Sequence, residues 1–324
     1  RMTWMEDRFF TYRTEFEPPR LGQGQRLWFV SKGIDYQYEI RFNGHLLAAG
    51  EGMFSPVEID LTEYLEPSNR FEVVIFPIPK RPPEPADRTQ ASDVVKPAVG
   101  YGWDWHPRLV PLGIWDDTGL QVRNESHVAE LHVGYILDDD LQGADLRIEA
   151  EGRECGGCQS AWELLDPEGH PAARARGPAG ERLTARVEHP RLWWTHDHGE
   201  PVLYTSRYRL LDAQGKELEC VEQQIGFRRI RLVMNEGAWS EPKGFPKTRS
   251  AAPAQIELNG RRIFAKGSNW VCPELFPGTV GEERCKELID IAVATNFNIL
   301  RSWGGGIVNK DCFFEYCDRR GILV

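Results

Sequence analysis

The chain has 324 residues, 41% of them hydrophobic, enough for two or three domains with real cores. Its formal charge of −10, from 49 acidic against 39 basic residues without a basic block, argues against nucleic acid or an anionic membrane as the main partner. No apolar run approaches the roughly 20 residues of a membrane span, and the start RMTWMEDRFF lacks the apolar stretch of a signal peptide.

That start reads as the interior of a longer chain. Eleven Trp, nine Tyr and fifteen Phe are rich for this length, serving either as core or as platforms for the apolar face of a ligand. The seven cysteines are odd in number and dispersed. This favours a reducing, cytoplasmic compartment over a disulfide framework. CGGC at 155–158 has no second pair at zinc spacing and reads as a loop between strands. No metal and no other cofactor are expected. NES at 124–126 is a glycosylation sequon that matters only in a secreted chain.

From Phe9 to Val122, runs such as RLWFVSKGI, YQYEIRFNGHLLAAG and RFEVVIFPI alternate with period two, which predicts an antiparallel sandwich. Asn43-Gly44 suits a tight hairpin turn because both residues tolerate positive φ. Residues 80–108 have no strand period and carry five prolines, so they are expected to form a long functional connection. From Ser126 to Leu232, strand and turn signals recur every ten or so residues, predicting a second, immunoglobulin-like sandwich.

After about Val233 the pattern changes. RRIFAKGSNW is a strand with a polar-aromatic end, and VGEERCKELIDIAVATN places Cys285, Leu288, Ile289, Ala292 and Val293 at helical spacing. FNILRSWGGG is an apolar strand, NKDCFFEYCDRRG a helix ending at Gly321, and ILV the start of another strand. This order opens a parallel α/β unit, and the 92 residues from Val233 hold only part of a (β/α)8 TIM barrel of about 250 residues.

Barrels place function where strands end at the C-terminal face, which nominates Asn269 and Trp270 after the first strand and Arg301 and Trp303 after the second. The competing readings are an inter-strand ion pair for Arg301 and simple turn permission for Gly304–Gly306. YGWDWHPRLVPLGIW, residues 101–115, sets a carboxylate between two indoles. A core strand with a capping acid is the ordinary explanation of such a motif.

The order of elements and several spellings resemble glycoside hydrolase family two. YLEPSNRFEVVI, EGMFSPVEIDLTEYL, LWWTHDHGEPVLY and IGFRRIRL resemble segments shared across that family. GWDWHPRLVPLGIW and NILRSWGGGI are similar to its β-mannosidase branch, with His106 departing where the family more often has Gly.

The resemblance implies a mainly β chain with an α/β C-terminal part. A jelly-roll-like sandwich, incomplete at its start, would span 1–124, an immunoglobulin-like sandwich 125–232, and the start of the TIM barrel 233–324. It implies a retaining exo-β-mannosidase acting on a carbohydrate substrate without a cofactor. Asp104 would accept hydrogen bonds from sugar hydroxyls and Trp103 would form a pocket wall, with Trp105 a further substrate-binding residue and the one of the three most given to core packing. Trp303 would be a second wall in the same pocket as Trp103, and Arg301 would orient the nucleophile, with Asn269 and Trp270 as further lining.

A retaining enzyme needs two carboxyl groups about 5 Å apart. Glu274, Asp311, Glu315 and Asp318 fall on the first loop or the second helix, so no catalytic residue is expected within the chain, and the acid/base and nucleophile are expected beyond Val324. Another family-two glycosidase, of exo-glucosaminidase, β-galactosidase or β-glucuronidase type, and a non-catalytic carbohydrate-binding module remain open at this point.

Overall fold

The Asn43-Gly44 turn forms as its residue types require, with φ of 47° and 84°, and it joins the strands Gln37–Phe42 and His45–Glu51. This hairpin belongs to a computed structural model that describes residues 3–80, 88–236 and 253–324. The first part of the long connection, residues 81–87, and residues 237–252 near the start of the expected barrel lie outside the described residues.

The chain is mainly β. In the N-terminal part a four-stranded antiparallel sheet runs in the order Phe10–Phe16, Asn69–Ile75, Gln37–Phe42, His45–Glu51. It packs on a three-stranded sheet of Val57–Asp60, Gln25–Ser31 and Thr118–Asn124. Alternate residues of facing strands make the core: Leu27 and Phe29 from one sheet meet Ile40, Phe42, Phe71 and Val73 from the other, with the rings of Phe29 and Phe71 4.6 Å apart.

A second sandwich follows. Its three-stranded sheet of His127–Leu137, Gly143–Arg153 and Leu183–Glu188 covers a four-stranded one in the order Pro171–Pro178, Gln159–Leu165, Tyr204–Leu211, Glu217–Ile225. Trp162, fully buried, donates its indole N–H to Ser206 Oγ at 2.8 Å, which satisfies its one polar atom inside the core.

The segment after Ile230 begins with an antiparallel sheet of Ile230–Met234, Ala254–Leu258 and Arg261–Ile263. The strands Gly267–Trp270 and Ile299–Ser302 then pair in parallel: Asn298 N–H donates to Lys266 O at 2.8 Å and Trp303 N–H to Trp270 O at 3.1 Å. Between them lies helix α1, Glu282–Ala294, which buries Cys285, Ile289 and Ala292 from the predicted apolar stripe. Helix α2, Asp311–Arg320, has Asp311 in its first turn and Arg319 and Arg320 in its last, charges that suit the helix dipole. Gly321 ends it at φ 69°, and a parallel bridge joins Ile299 to Leu323.

The contacts divide the chain into two compact units. One comprises Arg1–Glu125, Asn269–Arg284 and Ser302–Lys310, the other Ser126–Ser268, Cys285–Arg301 and Asp311–Val324. The loops following the first two parallel strands therefore fold with the first sandwich. Among the described residues no helix is long and apolar enough to cross a membrane.

Candidate functional site

The segment around Trp103 is shaped by its backbone. Gly102 adopts φ 109°, a region that favours glycine, and its N–H donates to Val99 O at 3.0 Å. Leu109 N–H donates to Gly100 O at 2.8 Å, and a Cβ at Gly100 would lie 3.0 Å from Leu109 O, so the returning chain needs a glycine there. Trp103 and His106 exchange both backbone hydrogen bonds, at 2.9 and 3.3 Å. Trp-Asp-Trp-His is thus a tight turn with Asp104 and Trp105 at its tip.

Several buried groups hold the base of this loop. His106 is buried, with Nδ1 2.7 Å from Pro107 O. Arg108 donates to Glu6 at 2.8 Å and to Gln90 at 2.5 Å, and its guanidinium lies 5.3 Å from the Tyr101 ring centre. Lys96 and Asp35 form a fully buried ion pair, and Lys96 also donates to Pro111 O at 2.9 Å. Burial pushes the Asp35 carboxyl up and the Lys96 ammonium down, and each partner's charge opposes the shift of the other. The cavity lined by both residues of the pair measures about 20 Å³, room for one water, so between them the pair clamps the loop.

Trp303 comes to the same place from the second parallel strand. Gly306 N–H donates to Trp303 O at 3.0 Å, and a Cβ at Gly305 would overlap the Trp303 indole. None of Gly304, Gly305 and Gly306 is in the left-handed region, so close approach of the ring, and not turn permission, is what requires glycine at 305. Val99 N–H donates to Gly305 O at 3.1 Å and joins the two loops directly. Trp270 donates its indole N–H to Asn309 Oδ1 at 2.9 Å, and Asn309 Nδ2 donates to Ser302 Oγ at 3.1 Å.

The indole of Trp303 meets that of Trp103 edge to face, with centroids 5.0 Å apart, and that of Trp105 at 6.0 Å and 52°. The Arg88 guanidinium stacks on Trp103 at 3.9 Å from the ring centre. Trp105 is 52% exposed. This corrects the expectation that Trp105 packs in the core: at the tip of a two-residue turn it has no second layer to pack into. Asp104 is also exposed, and among the described residues no hydrogen bond or ion pair engages its carboxylate. The cluster offers apolar ring surface beside a free hydrogen-bond acceptor, the two surfaces a pyranose presents a complement to.

Asn269 and Arg301 are exposed near the ends of their strands, and Arg301 belongs to the other compact unit. The four candidate carboxylates of the α/β segment are occupied elsewhere. Glu274 pairs with Arg284 at 3.1 Å, Glu315 with Arg319 at 3.6 Å and Asp318 with Arg228 at 2.7 Å, while Asp311 opens α2. Sequence reasoning missed Arg88, Asn309 and the Asp35–Lys96 pair. Lys96 beside Pro97 in an otherwise apolar stretch was the available signal for the last. Among the described residues no group of three or more His, Cys, Asp or Glu is arranged to hold a metal ion.

Residues 1–116 match the family described as glycosyl hydrolase 2 galactose-binding domain-like, and residues 126–228 match glycosyl hydrolases family 2. With both of these consecutive domains in place, the chain belongs to glycosyl hydrolase family 2. Its relatives include the β-mannosidase B of Neosartorya fischeri, 27% identical over 99% of this chain and 39% of that protein, and the β-mannosidase of Rattus norvegicus, 26% identical over the same shares. The crystal structure of a β-D-mannosidase from Dictyoglomus thermophilum superposes with a TM-score of 0.80 at 26% identity, covering 99% of this chain and 40% of that one. The chain thus spans about two fifths of the length of the relatives it matches.

Proposed function

We propose that this chain is the substrate-shaping N-terminal part of a retaining exo-β-mannosidase, which releases terminal non-reducing β-D-mannose. The observation that carries the reading is the meeting of Trp103, Asp104, Trp105 and Trp303, from loops about 200 residues apart in sequence, in one aromatic corner with an open carboxylate. Resemblance to β-mannosidases over nearly the whole chain supports the choice of sugar.

On this reading residues 1–124 and 125–232 are the two sandwiches and 233–324 open a (β/α)8 barrel, in keeping with the parallel strand–helix–strand–helix order of that segment. Trp103 and Trp303, held edge to face, form two adjoining walls for the mannose, and Asp104 accepts hydrogen bonds from two of its hydroxyls. Trp270 holds the start of the Trp303 loop through its carbonyl, Asn269 lines the same loop cluster, and Arg301 orients the nucleophile. The exposure of Trp105 suits it to touch the sugar or the group attached to it.

The candidate acids Glu274, Glu315, Asp318 and Asp311 are engaged in ion pairs or at a helix start, so the proton donor and nucleophile are assigned to a further part of the enzyme. A panel of nitrophenyl α- and β-glycosides offered to the longer product of this reading frame tests the proposal. Hydrolysis of the β-mannoside well above all others, with retention at the anomeric carbon, is the expected result. Preference for a β-galactoside, β-glucuronide or glucosaminide would overturn the assignment of the sugar, and inversion would overturn the mechanism.

A further inference from the structure

The loop between the strands Gly143–Arg153 and Gln159–Leu165 carries Cys155-Gly156-Gly157-Cys158. Cys158 N–H donates to Cys155 O at 3.0 Å, and Gly157 has φ 81°, so the four residues form a β-turn whose third position needs a glycine. Such a turn holds its first and last Cα atoms within about 7 Å, the range that a disulfide spans. Both side chains turn toward the same core: Cys158 is 8% exposed within it, and Cys155 packs against it from the edge. Cys155 Sγ lies 3.0 Å from Arg153 O and 3.6 Å from His127 O, either of which its S–H can reach.

We propose that Cys155 and Cys158 form a redox modification site, at which thiol–disulfide exchange with a low-molecular-weight disulfide closes an intramolecular bond across the turn. The half-buried Cys155 thiolate attacks the small disulfide RSSR, forming a mixed disulfide and releasing one RSH after protonation. The Cys158 thiolate then attacks the Cys155 sulfur, forming the Cys155–Cys158 bond and releasing the second RSH. Two protein thiols are oxidised and one RSSR is reduced. Burial, and next the neighbouring Cys158, push the Cys155 thiol up, so the reaction is slow at neutral pH and quickens about tenfold per pH unit below the thiol pKa.

The test incubates the chain in buffers of graded reduced and oxidised glutathione, followed by maleimide quenching and tryptic mass mapping. One peptide, 154–174, contains both cysteines, and the exposed Cys220 lies on another. The expected result is that 154–174 loses maleimide at both positions together and two hydrogens in mass, faster at higher pH, while Cys220 carries glutathione or maleimide. Cys158→Ser should arrest Cys155 at the glutathione adduct, and Cys220→Ser should leave the 155–158 bond unaffected. If 154–174 keeps two maleimides in the most oxidising buffer while Cys220 reacts, or if either cysteine pairs with Cys220 instead, the proposal is overturned. The wild type and Cys220→Ser decide this even where Cys158→Ser fails to fold.

Discussion

Trp103, Trp105 and Trp115 sit within fifteen residues of one another, and their surroundings give them three different roles. Trp115 is 7% exposed, donates its indole N–H to Met53 O at 2.6 Å and meets Phe54 edge to face at 5.6 Å. A Cβ at Gly33 would overlap its ring, so Trp115 is core in the strict sense. Asp104, by contrast, is exposed with no partner among the described residues, so its removal costs the fold little. On the proposed reading, Asp104→Ala in a full-length β-mannosidase should lower kcat/KM on a β-mannoside by about 2–4 kcal/mol, roughly 30-fold to 1,000-fold, with an unchanged melting temperature. Trp115→Ala should do the converse, destabilising by about 3–5 kcal/mol. Parallel kinetics and thermal melts of the two variants check both. An Asp104→Ala enzyme with wild-type kinetics would reduce the loop to a structural feature.

Among the elements, the helices and hairpins are the most local in origin. The apolar spacing from Cys285 to Val293 predicts α1 to within a few residues, because a stripe at 3.6-residue period can be buried in no other way. The junction of the second sandwich with the parallel strands rests on groups that no local pattern marks. Asp197 is salt-bridged to Lys266 at 2.9 Å, accepts from Asn298 Nδ2 at 3.0 Å and lies 2.8 Å from His198 Nδ1. Burial alone would raise its carboxyl, but hydrogen bonds with Lys266, His198, Thr195 and Asn298 outweigh it and hold the group well below the usual carboxylate range. An acid with a depressed folded-state pKa stabilises the fold above its unfolded value, about 3.9, and that contribution is lost as pH falls through the folded pKa. Stability should therefore decline as pH drops below about 4, and Asp197→Asn should both lower stability at neutral pH and flatten that decline. Urea unfolding of the two proteins across this range measures it. An unchanged slope would assign the acid sensitivity to other carboxylates.

For the whole molecule, residues 1–324 alone should show no hydrolysis of nitrophenyl β-mannoside, because the candidate carboxylates Glu274, Glu315 and Asp318 are held in ion pairs and Asp311 at a helix start. Turnover by the purified chain would require a catalytic pair among residues read here as structural. Much of the architecture was legible by itself: period-two runs gave two sandwiches, helical spacing gave α1, a stretch ending at Gly321 gave α2, and Asn43-Gly44 gave a hairpin, since each depends on residues a few positions apart. Trp103 and Asp104 were nominated through the resemblance to family two, and Trp303 through that resemblance and the expected end of a strand. What the tertiary structure alone decided is which indole is covered and which is open. Trp105 is exposed because its turn projects it outward, Trp103 is capped by Arg88, and Trp303 folds onto Gly305 between them. Burial is a property of neighbours brought together by the fold, here about 200 residues apart in sequence, and no local spacing encodes it.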